Sequence, residues 1–157
     1  METKKFDIIC DVDGTLVDIA KRLDLAVANA KRGKRMNWDI FLDSDKMYEL
    51  DEPNHDVIEL VKSFISNGHR VVITSARNER HREVTEKQLR EFGINFEKLY
   101  LRADDDFRND ADVKEEILGQ IRGDGFDPHV AIDDRQRVVD RWRELGLNCY
   151  QVRVTTD

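Results

Sequence analysis

Apolar residues along the chain form short runs of strand length, separated by longer stretches with helical spacing. Five such runs are bounded by polar or turn residues, at 6–10, 70–74, 99–101, 129–132 and 148–152. Short apolar runs of this kind are typical of strands buried on both faces. Strands that alternate with helices over short linkers favour a parallel sheet. The pattern therefore predicts an α/β fold, with a mainly parallel five-stranded sheet and helices on both faces.

The intervening stretches predict the helices. Within 16–32, one helical stripe collects most of the apolar residues, namely Leu16, Ile19, Ala20, Leu23, Ala26, Val27 and Ala30. Helices are also expected at 53–67, at 79–92 and on either side of the fourth strand. The helix before the fourth strand is expected to be capped by Asp110 or Asp112. The stretch that contains Trp38, Phe41 and Tyr48 is expected to be irregular.

Residues 18–52 interrupt the alternation after the first strand and predict a small cap or lid. Its part from 18 to 38 contains six lysines and arginines against two aspartates, whereas the whole chain has a formal net charge of −7. A basic cap would suit an anionic substrate. The alternative is a solvated helix with a basic face.

Two carboxylates follow the first strand, in the motif Asp-Val-Asp-Gly-Thr at 11–15. Residues two apart on an extended segment point to the same side, so Asp11 and Asp13 can share a site. Paired carboxylates suit Mg²⁺, and a carboxylate can also attack phosphorus. Thr15 can offer a hydroxyl and a backbone N–H to phosphate oxygens. The alternative is an Asp-Gly turn with two solvated acids.

Other strands end in residues of related chemistry. Ser75 and Arg77 follow the second strand and can donate hydrogen bonds to a phosphate, while Asp133 and Asp134 follow the fourth. Lys114 lies in the first turn of a predicted helix, where the helix dipole does not stabilise a cation, so it is expected to serve an anionic neighbour. Each residue alone could be a cap or a surface group. Together, at one edge of a sheet, they predict phosphate and metal chemistry.

Composition excludes several classes of protein. The 157 residues suit one domain, residues 1–157, and no apolar run approaches the ~20 residues of a membrane span. Cys10 and Cys149 lie in apolar runs and suggest neither a disulfide framework nor a zinc site. A P-loop is absent from the sequence, which argues against a nucleotide kinase of that class. The chain is expected to be cytoplasmic, and the sequence gives no oligomeric state.

The residues divide by role. Asp11 and Asp133 would hold Mg²⁺, helped by the backbone carbonyl of Asp13, and Asp11 would attack phosphorus in line. Lys114 and Ser75 would stabilise the other phosphoryl oxygens. Asp13 would protonate the leaving oxygen and later deprotonate the water that hydrolyses the aspartyl-phosphate.

These motifs, in this order, resemble those of the haloacid dehalogenase-like (HAD) phosphohydrolases. The resemblance covers the whole chain and rests on 11–15, Ser75, Lys114 and the pair Asp133-Asp134. It implies a three-layer Rossmann-like HAD fold with Asp11 as nucleophile, Asp13 as acid and base, and Asp133 and Asp134 at the metal.

A narrower resemblance concerns 6–15 and 70–152. There the chain is similar to the 3′-phosphatase domain of the bacteriophage polynucleotide kinase/phosphatase, on Ser75-Ala76-Arg77, on the run from Arg108 to Ile117 and on Ala131 to Arg135. It implies a substrate contact for Arg77, Arg108 and Arg135. The region 18–52 matches only weakly.

Three functions remain open from the sequence. The first is an Mg²⁺-dependent phosphomonoesterase that removes 3′-phosphates from nucleic-acid ends. The second is a phosphatase of free nucleotides or other small phosphate esters, which the acidic total charge favours. The third is a catalytically silent HAD-like binding module, against which the intact set of motifs argues.

Overall fold

The computed structural model describes residues 4–155 and contains seven strands and seven α-helices in that range. The strands are β1 (Asp7–Asp11), β2 (Val17–Asp18), β3 (Glu52–Pro53), β4 (Arg70–Asn78), β5 (Lys98–Arg102), β6 (Pro128–Arg135) and β7 (Asn148–Thr155). The helices are α1 (Ala20–Ala28), α2 (Trp38–Phe41), α3 (Ser44–Leu50), α4 (His55–Ser66), α5 (Arg82–Glu91), α6 (Asp110–Gly123) and α7 (Gln136–Glu144).

The main sheet is parallel throughout, in the order β5-β4-β1-β6-β7. Its two faces bury different helices. Ile8 and Ile73 pack with Val61 of α4 and Leu89 of α5, whereas Ile9 and its neighbours pack against α6 and α7. The result is a three-layer α/β fold, so the prediction of a mainly parallel five-stranded sheet with helices on both faces is confirmed.

The order of the strands places β1 at the centre. The chain first adds β4 and β5 on one side of it, then crosses over to add β6 and β7 on the other. The ends of β1, β4 and β6 are therefore adjacent, and the crevice at such a reversal is where ligands bind in open α/β sheets. Asp11 is the last residue of β1.

Residues 18–52 leave and re-enter the domain through a short antiparallel pair, with Val17 opposite Pro53 and Asp18 opposite Glu52. The segment contains α1, α2 and α3. The prediction that it acts as a cap stays a prediction.

Three local predictions were wrong. The first helix spans Ala20–Ala28 instead of 16–32, and Val27, placed on the buried stripe, is 49% exposed. The stretch around Trp38 and Tyr48 is helical, because Asn37 and Asp43 cap two short helices with their side chains. Helix α6 is capped by Asn109, whose side chain accepts from the backbone N–H of Asp112, and not by Asp110 or Asp112.

Within residues 4–155, no helix is long and apolar enough to cross a membrane. Cys10 and Cys149 are free and buried, and burial raises the pKa of the Cys149 thiol to about 12.

Candidate active site

Lys114 joins the ends of β1 and β6. Its Nζ donates to Asp11 Oδ1 and to Asp133 Oδ2, both at 2.7 Å, and all three side chains are nearly inaccessible to solvent. The indole N–H of Trp142 donates to the same Asp133 oxygen at 3.2 Å. Lys114 thus lies between two carboxyl groups, which accounts for a buried lysine near the start of α6.

The protonation of this group follows from burial and proximity. Burial disfavours a charged lysine, but Asp11 and Asp133 outweigh it and raise the pKa of Lys114 well above its ordinary value. Burial, together with Asp133, raises the pKa of Asp11 well above its ordinary value, although Lys114 opposes this. A further cation at these carboxylates would favour their charged forms.

The tight turn after β1 brings Thr15 and Gly14 against the same carboxylates. The buried Thr15 hydroxyl donates to Asp11 Oδ2 at 2.9 Å and also lies 3.4 Å from Asp134 Oδ1. Gly14 has φ +81°, and a Cβ there would lie only 2.1 Å from Asp134 Oδ2. The turn therefore needs glycine both for its backbone conformation and for the approach of Asp134.

Asp13 faces the cap side of the cleft. Its carboxylate accepts from Arg22 Nη2 at 3.0 Å and from Arg77 Nη2 at 2.7 Å. Burial disfavours its ionisation, but the two guanidinium groups outweigh burial and hold the pKa of Asp13 well below its ordinary value. Asp13 is thus held as a carboxylate.

A second buried acid completes this network. Asp51, which follows α3, accepts from Arg22 Nε at 2.9 Å and from Arg77 Nη2 at 2.9 Å, and its side chain is fully buried. Burial raises the pKa of Asp51 despite these arginines. Two arginines and two aspartates thereby connect the 18–52 segment to the end of β4.

Arg77 is fully engaged in this arrangement. Besides the two aspartates, its Nη1 donates to Thr85 Oγ1 and to Gln88 Oε1 of α5. Ser75, also buried, accepts from the backbone N–H of Arg77 at 3.1 Å. The predictions that Ser75 and Arg77 bind phosphate oxygens stay predictions.

The other predicted arginines lie nearer the rim of the cleft. Arg135 Nη1 donates to Asp110, which also accepts from Arg102. Arg108 is half-exposed and pairs with Asp106 and Glu116. Their predicted contact with substrate stays a prediction.

A cleft of about 710 Å³ contains these groups. Its lining comes from the ends of β1, β4 and β6, from α1 and α2, and from the loop that precedes α6. The volume falls within the range of pockets that take a small organic ligand, so it exceeds the needs of a phosphate group alone.

A family model described as the polynucleotide kinase PNKP phosphatase domain matches residues 6–156. The chain belongs to this family. It is therefore a phosphatase domain of HAD type, and the predicted resemblance is confirmed.

Solved structures agree with this assignment. A chain in a structure of a Pnkp1/Rnl/Hen1 complex is 28% identical, with a TM-score of 0.76, over 98% of this chain and 48% of the other. A second, titled as the Pnkp1/Rnl/Hen1 RNA repair complex, is 28% identical with a TM-score of 0.74, over 96% and 43%. This PNKP phosphatase domain thus spans less than half the length of either relative.

A haloacid dehalogenase-like hydrolase from Streptococcus pneumoniae shares the fold at 15% identity and a TM-score of 0.66, over 94% of this chain and 84% of the other. This likeness supports the HAD fold alone, which agrees with the fold predicted from the sequence motifs.

The donor set of the PNKP phosphatase domain fits a hard divalent cation. Asp11, Asp133 and Asp134 each offer one carboxylate oxygen, and these oxygens lie within 4.8 Å of one another. The side chain of Asp13 pairs with Arg22 and Arg77, and the contribution predicted for Asp13 at the metal is that of its backbone carbonyl. The predicted contribution of its backbone carbonyl stays a prediction.

Three residues of the site were missed from the sequence. Arg22 was predicted only as one of six basic residues in the cap segment, with a solvated helix as the alternative, yet its side chain is fully buried. Its position one turn before Ala26 on the inner face of α1 was the only local signal. Asp51 gave none, because its partners Arg22 and Arg77 are 29 and 26 residues away, and the contact of Trp142 with Asp133 depends on how α7 packs against the end of β6.

Proposed function

We propose that this domain is an Mg²⁺-dependent phosphomonoesterase that removes 3′-phosphates from nucleic-acid ends through an aspartyl-phosphate. The observation that supports it most is the placement of Asp11 between Lys114 and Thr15, beside Asp133 and Asp134, at the end of the central strand. Membership of the PNKP phosphatase family favours this substrate class.

Asp11, Asp133 and Asp134 would hold the cation, which when bound neutralises phosphoryl oxygen charge. In the first step, Asp11 forms a bond to phosphorus as the ester P–O bond breaks, and the leaving oxygen takes a proton from Asp13. In the second, Asp13 accepts a proton from a water molecule that attacks phosphorus, which releases phosphate and restores Asp11.

The residues around Asp13 favour its role as the base that accepts a proton from water in the second step. Arg22 and Arg77 hold it as a carboxylate, the form that accepts a proton from water. The first step needs Asp13 in its protonated form, and the proton that Asp13 accepts from water in the second step of one turnover is the one that it donates in the first step of the next. Lys114 and Ser75 would stabilise the remaining oxygens, and the 18–52 segment would act as the cap that supplies Arg22.

A phosphatase of free nucleotides is the second candidate. It is favoured by the formal net charge of −7, since polynucleotide binding without sequence preference depends on basic surface. The cleft is also large enough for a small ester.

One panel of substrates separates the two. Phosphate release with Mg²⁺ would be measured from a 3′-phosphorylated oligonucleotide, a 5′-phosphorylated one, 3′- and 5′-mononucleotides and an aryl phosphate. A preference for the 3′-phosphorylated oligonucleotide supports the first function. A preference for mononucleotides would replace it with the second.

Two variants test the chemistry in the same panel. Asp11→Asn should lower kcat by at least about three orders of magnitude, because the nucleophile is lost. Asp105→Asn, at an exposed acid outside the cleft, is the matched control and should retain activity. With the aryl phosphate, whose leaving group departs without taking a proton from Asp13, Asp13→Asn should allow a phosphorylated Asp11 to accumulate, detected by mass spectrometry of acid-quenched protein. Full activity in Asp11→Asn would refute the mechanism.

A further inference from the structure

Two exposed aromatic side chains line the cleft from different parts of the chain. Trp38 belongs to α2 and is 52% exposed, while Phe107 belongs to the loop before α6 and is 91% exposed. Both line the cleft that contains Asp11. Exposed apolar surface gathered in one groove is a mark of a ligand-binding site.

Trp38 is held by neighbours in the cap segment. Its ring meets the ring of Phe41 edge to face, with centroids 5.7 Å apart. Phe41 in turn lies under the guanidinium of Arg22, at 4.8 Å. The exposed indole is therefore anchored to the same arginine that contacts Asp13.

Phe107 lies on a loop whose backbone is fixed. Arg102, largely buried, donates through Nη1 to the carbonyls of Asp106 and Arg108, at 3.1 and 2.6 Å. These carbonyls flank Phe107 on both sides. Its phenyl ring is thus presented to solvent by a tethered loop.

Positive charge accompanies the two rings. Arg35 and Arg80 are exposed and line the same cleft, and among residues 4–155 neither has an ion pair. Aromatic rings combined with cations along one groove are the features by which proteins bind single-stranded nucleic acid: bases stack on the rings, and cations contact the phosphates.

Resting on the proposed function, we propose that Trp38 and Phe107 stack on unpaired bases adjoining the 3′-phosphate. The two residues make a single-stranded polynucleotide end the preferred substrate. A base-paired end exposes only the outer face of its terminal pair, so two rings cannot both stack on its bases, and an aryl phosphate has no base to offer.

The test compares substrates that differ only in the bases next to the phosphate. The full chain would be assayed on a 3′-phosphorylated single strand, on the same strand with its last two nucleotides abasic, on a blunt duplex and on an aryl phosphate. Trp38→Ala and Phe107→Ala should each lower kcat/KM on the normal single strand about tenfold. Both variants should leave turnover of the abasic strand and the aryl phosphate unchanged.

Conservative variants separate stacking from packing. Trp38→Phe and Phe107→Tyr should restore most of the activity, whereas Phe107→Leu, apolar but without a π-face, should not. Since both side chains are exposed, the alanine variants are expected to fold, and the melting temperature checks this.

A binding measurement is independent of turnover. The chain has two tryptophans, and the other, Trp142, is buried, so base stacking should quench the Trp38 emission when Asp11→Asn is titrated with the 3′-phosphorylated strand. Trp38→Phe in the same background removes the signal.

If the wild type releases phosphate from normal and abasic strands equally and Trp38 is not quenched, the stacking proposal is overturned while the 3′-phosphatase stands. If no oligonucleotide is a substrate, the proposed function itself is wrong.

Discussion

Gly14 combines a left-handed backbone conformation with a close approach to Asp134 of the candidate site. Its φ of +81° is a left-handed conformation, and a Cβ would lie 2.1 Å from Asp134 Oδ2 and 2.7 Å from its carboxyl carbon. Any side chain there must displace Asp134, which belongs to the carboxylate group that fits a cation.

Gly14→Ala should therefore lose activity as well as stability. We expect a loss of about 2–4 kcal/mol in the free energy of unfolding and a higher Mg²⁺ requirement, measured by urea unfolding and by titration of activity with Mg²⁺. The matched control is Gly146→Ala, with φ +92° and no heavy atom within 4 Å of the added Cβ. It should cost only the backbone strain of about 1 kcal/mol and leave the Mg²⁺ requirement unchanged. Equal effects on both properties in the two variants would contradict the role of Asp134.

The contacts of Asp7, at the opposite end of β1, lead to a separate prediction about how the free energy of unfolding depends on pH. Burial disfavours its charge, but Arg70, at 2.7 and 2.8 Å, and the N–H of Asp127 outweigh burial and lower the pKa of Asp7. A lowered folded-state pKa adds stability that is complete above the ordinary value of about 3.8 and is lost as pH falls through the folded value.

Asp7→Asn should accordingly lower the free energy of unfolding at pH 7 by about 1–3 kcal/mol. The difference from wild type should stay constant between pH 7 and about pH 5 and shrink below about pH 4. Denaturant unfolding across this range measures it, with the exposed Asp105→Asn as control. A difference that grows on acidification would show that the sign is wrong.

At the scale of elements, α1 presents two ion pairs of opposite character. Arg22 binds Asp51 with both side chains fully buried, whereas its neighbour Lys21 binds Glu52 with both exposed. Adjacent residues of α1 therefore form one buried and one solvent-exposed ion pair with the adjacent residues Asp51 and Glu52.

Arg22→Met should be much more harmful than Lys21→Met. Removing Arg22 leaves Asp51 buried without one partner and Asp13 with a single arginine, so we expect a loss of about 3–5 kcal/mol in the free energy of unfolding and a lower kcat. Lys21→Met should leave both the melting temperature and kcat close to wild type, because exposed pairs contribute little. Thermal unfolding and steady-state assays of the two variants measure this; similar losses would argue against the buried network.

The same helix shows where sequence-based prediction failed. The strand ends could be predicted, because apolar runs followed by Asp11, Ser75 and Asp133 mark local features within a few residues. The inner face of α1 could not, since a buried arginine breaks the apolar stripe and its partners lie 9 and 29 residues away. Short helices such as α2 depend on one capping side chain, here Asn37, and hardly on periodicity.

At the scale of the whole molecule, charge is unevenly distributed. The chain has a formal net charge of −7, yet the turn after α1 exposes Lys31, Arg32, Lys34 and Arg35, and none of the four has an ion pair within residues 4–155. Arg35 also lines the cleft. A local basic surface on an acidic protein favours contact with a polyanion at one place only.

Salt dependence tests whether this basic turn contacts a polynucleotide. Turnover of a 3′-phosphorylated single strand at low substrate should fall steeply as salt rises, whereas that of a 3′-mononucleotide should change little.

Changing all four basic residues to Ala should raise KM for the strand and make its turnover less dependent on salt. The slope of log turnover against log salt should become shallower by about 0.7 for each phosphate that the protein no longer neutralises. The control removes the same four charges elsewhere, at Lys62, Lys87, Arg90 and Arg122, none of which lines the cleft. If both sets flatten the slope equally, the effect is one of net charge, and the basic turn makes no specific contact; if only the first does, the acidic total charge no longer argues against a nucleic-acid substrate.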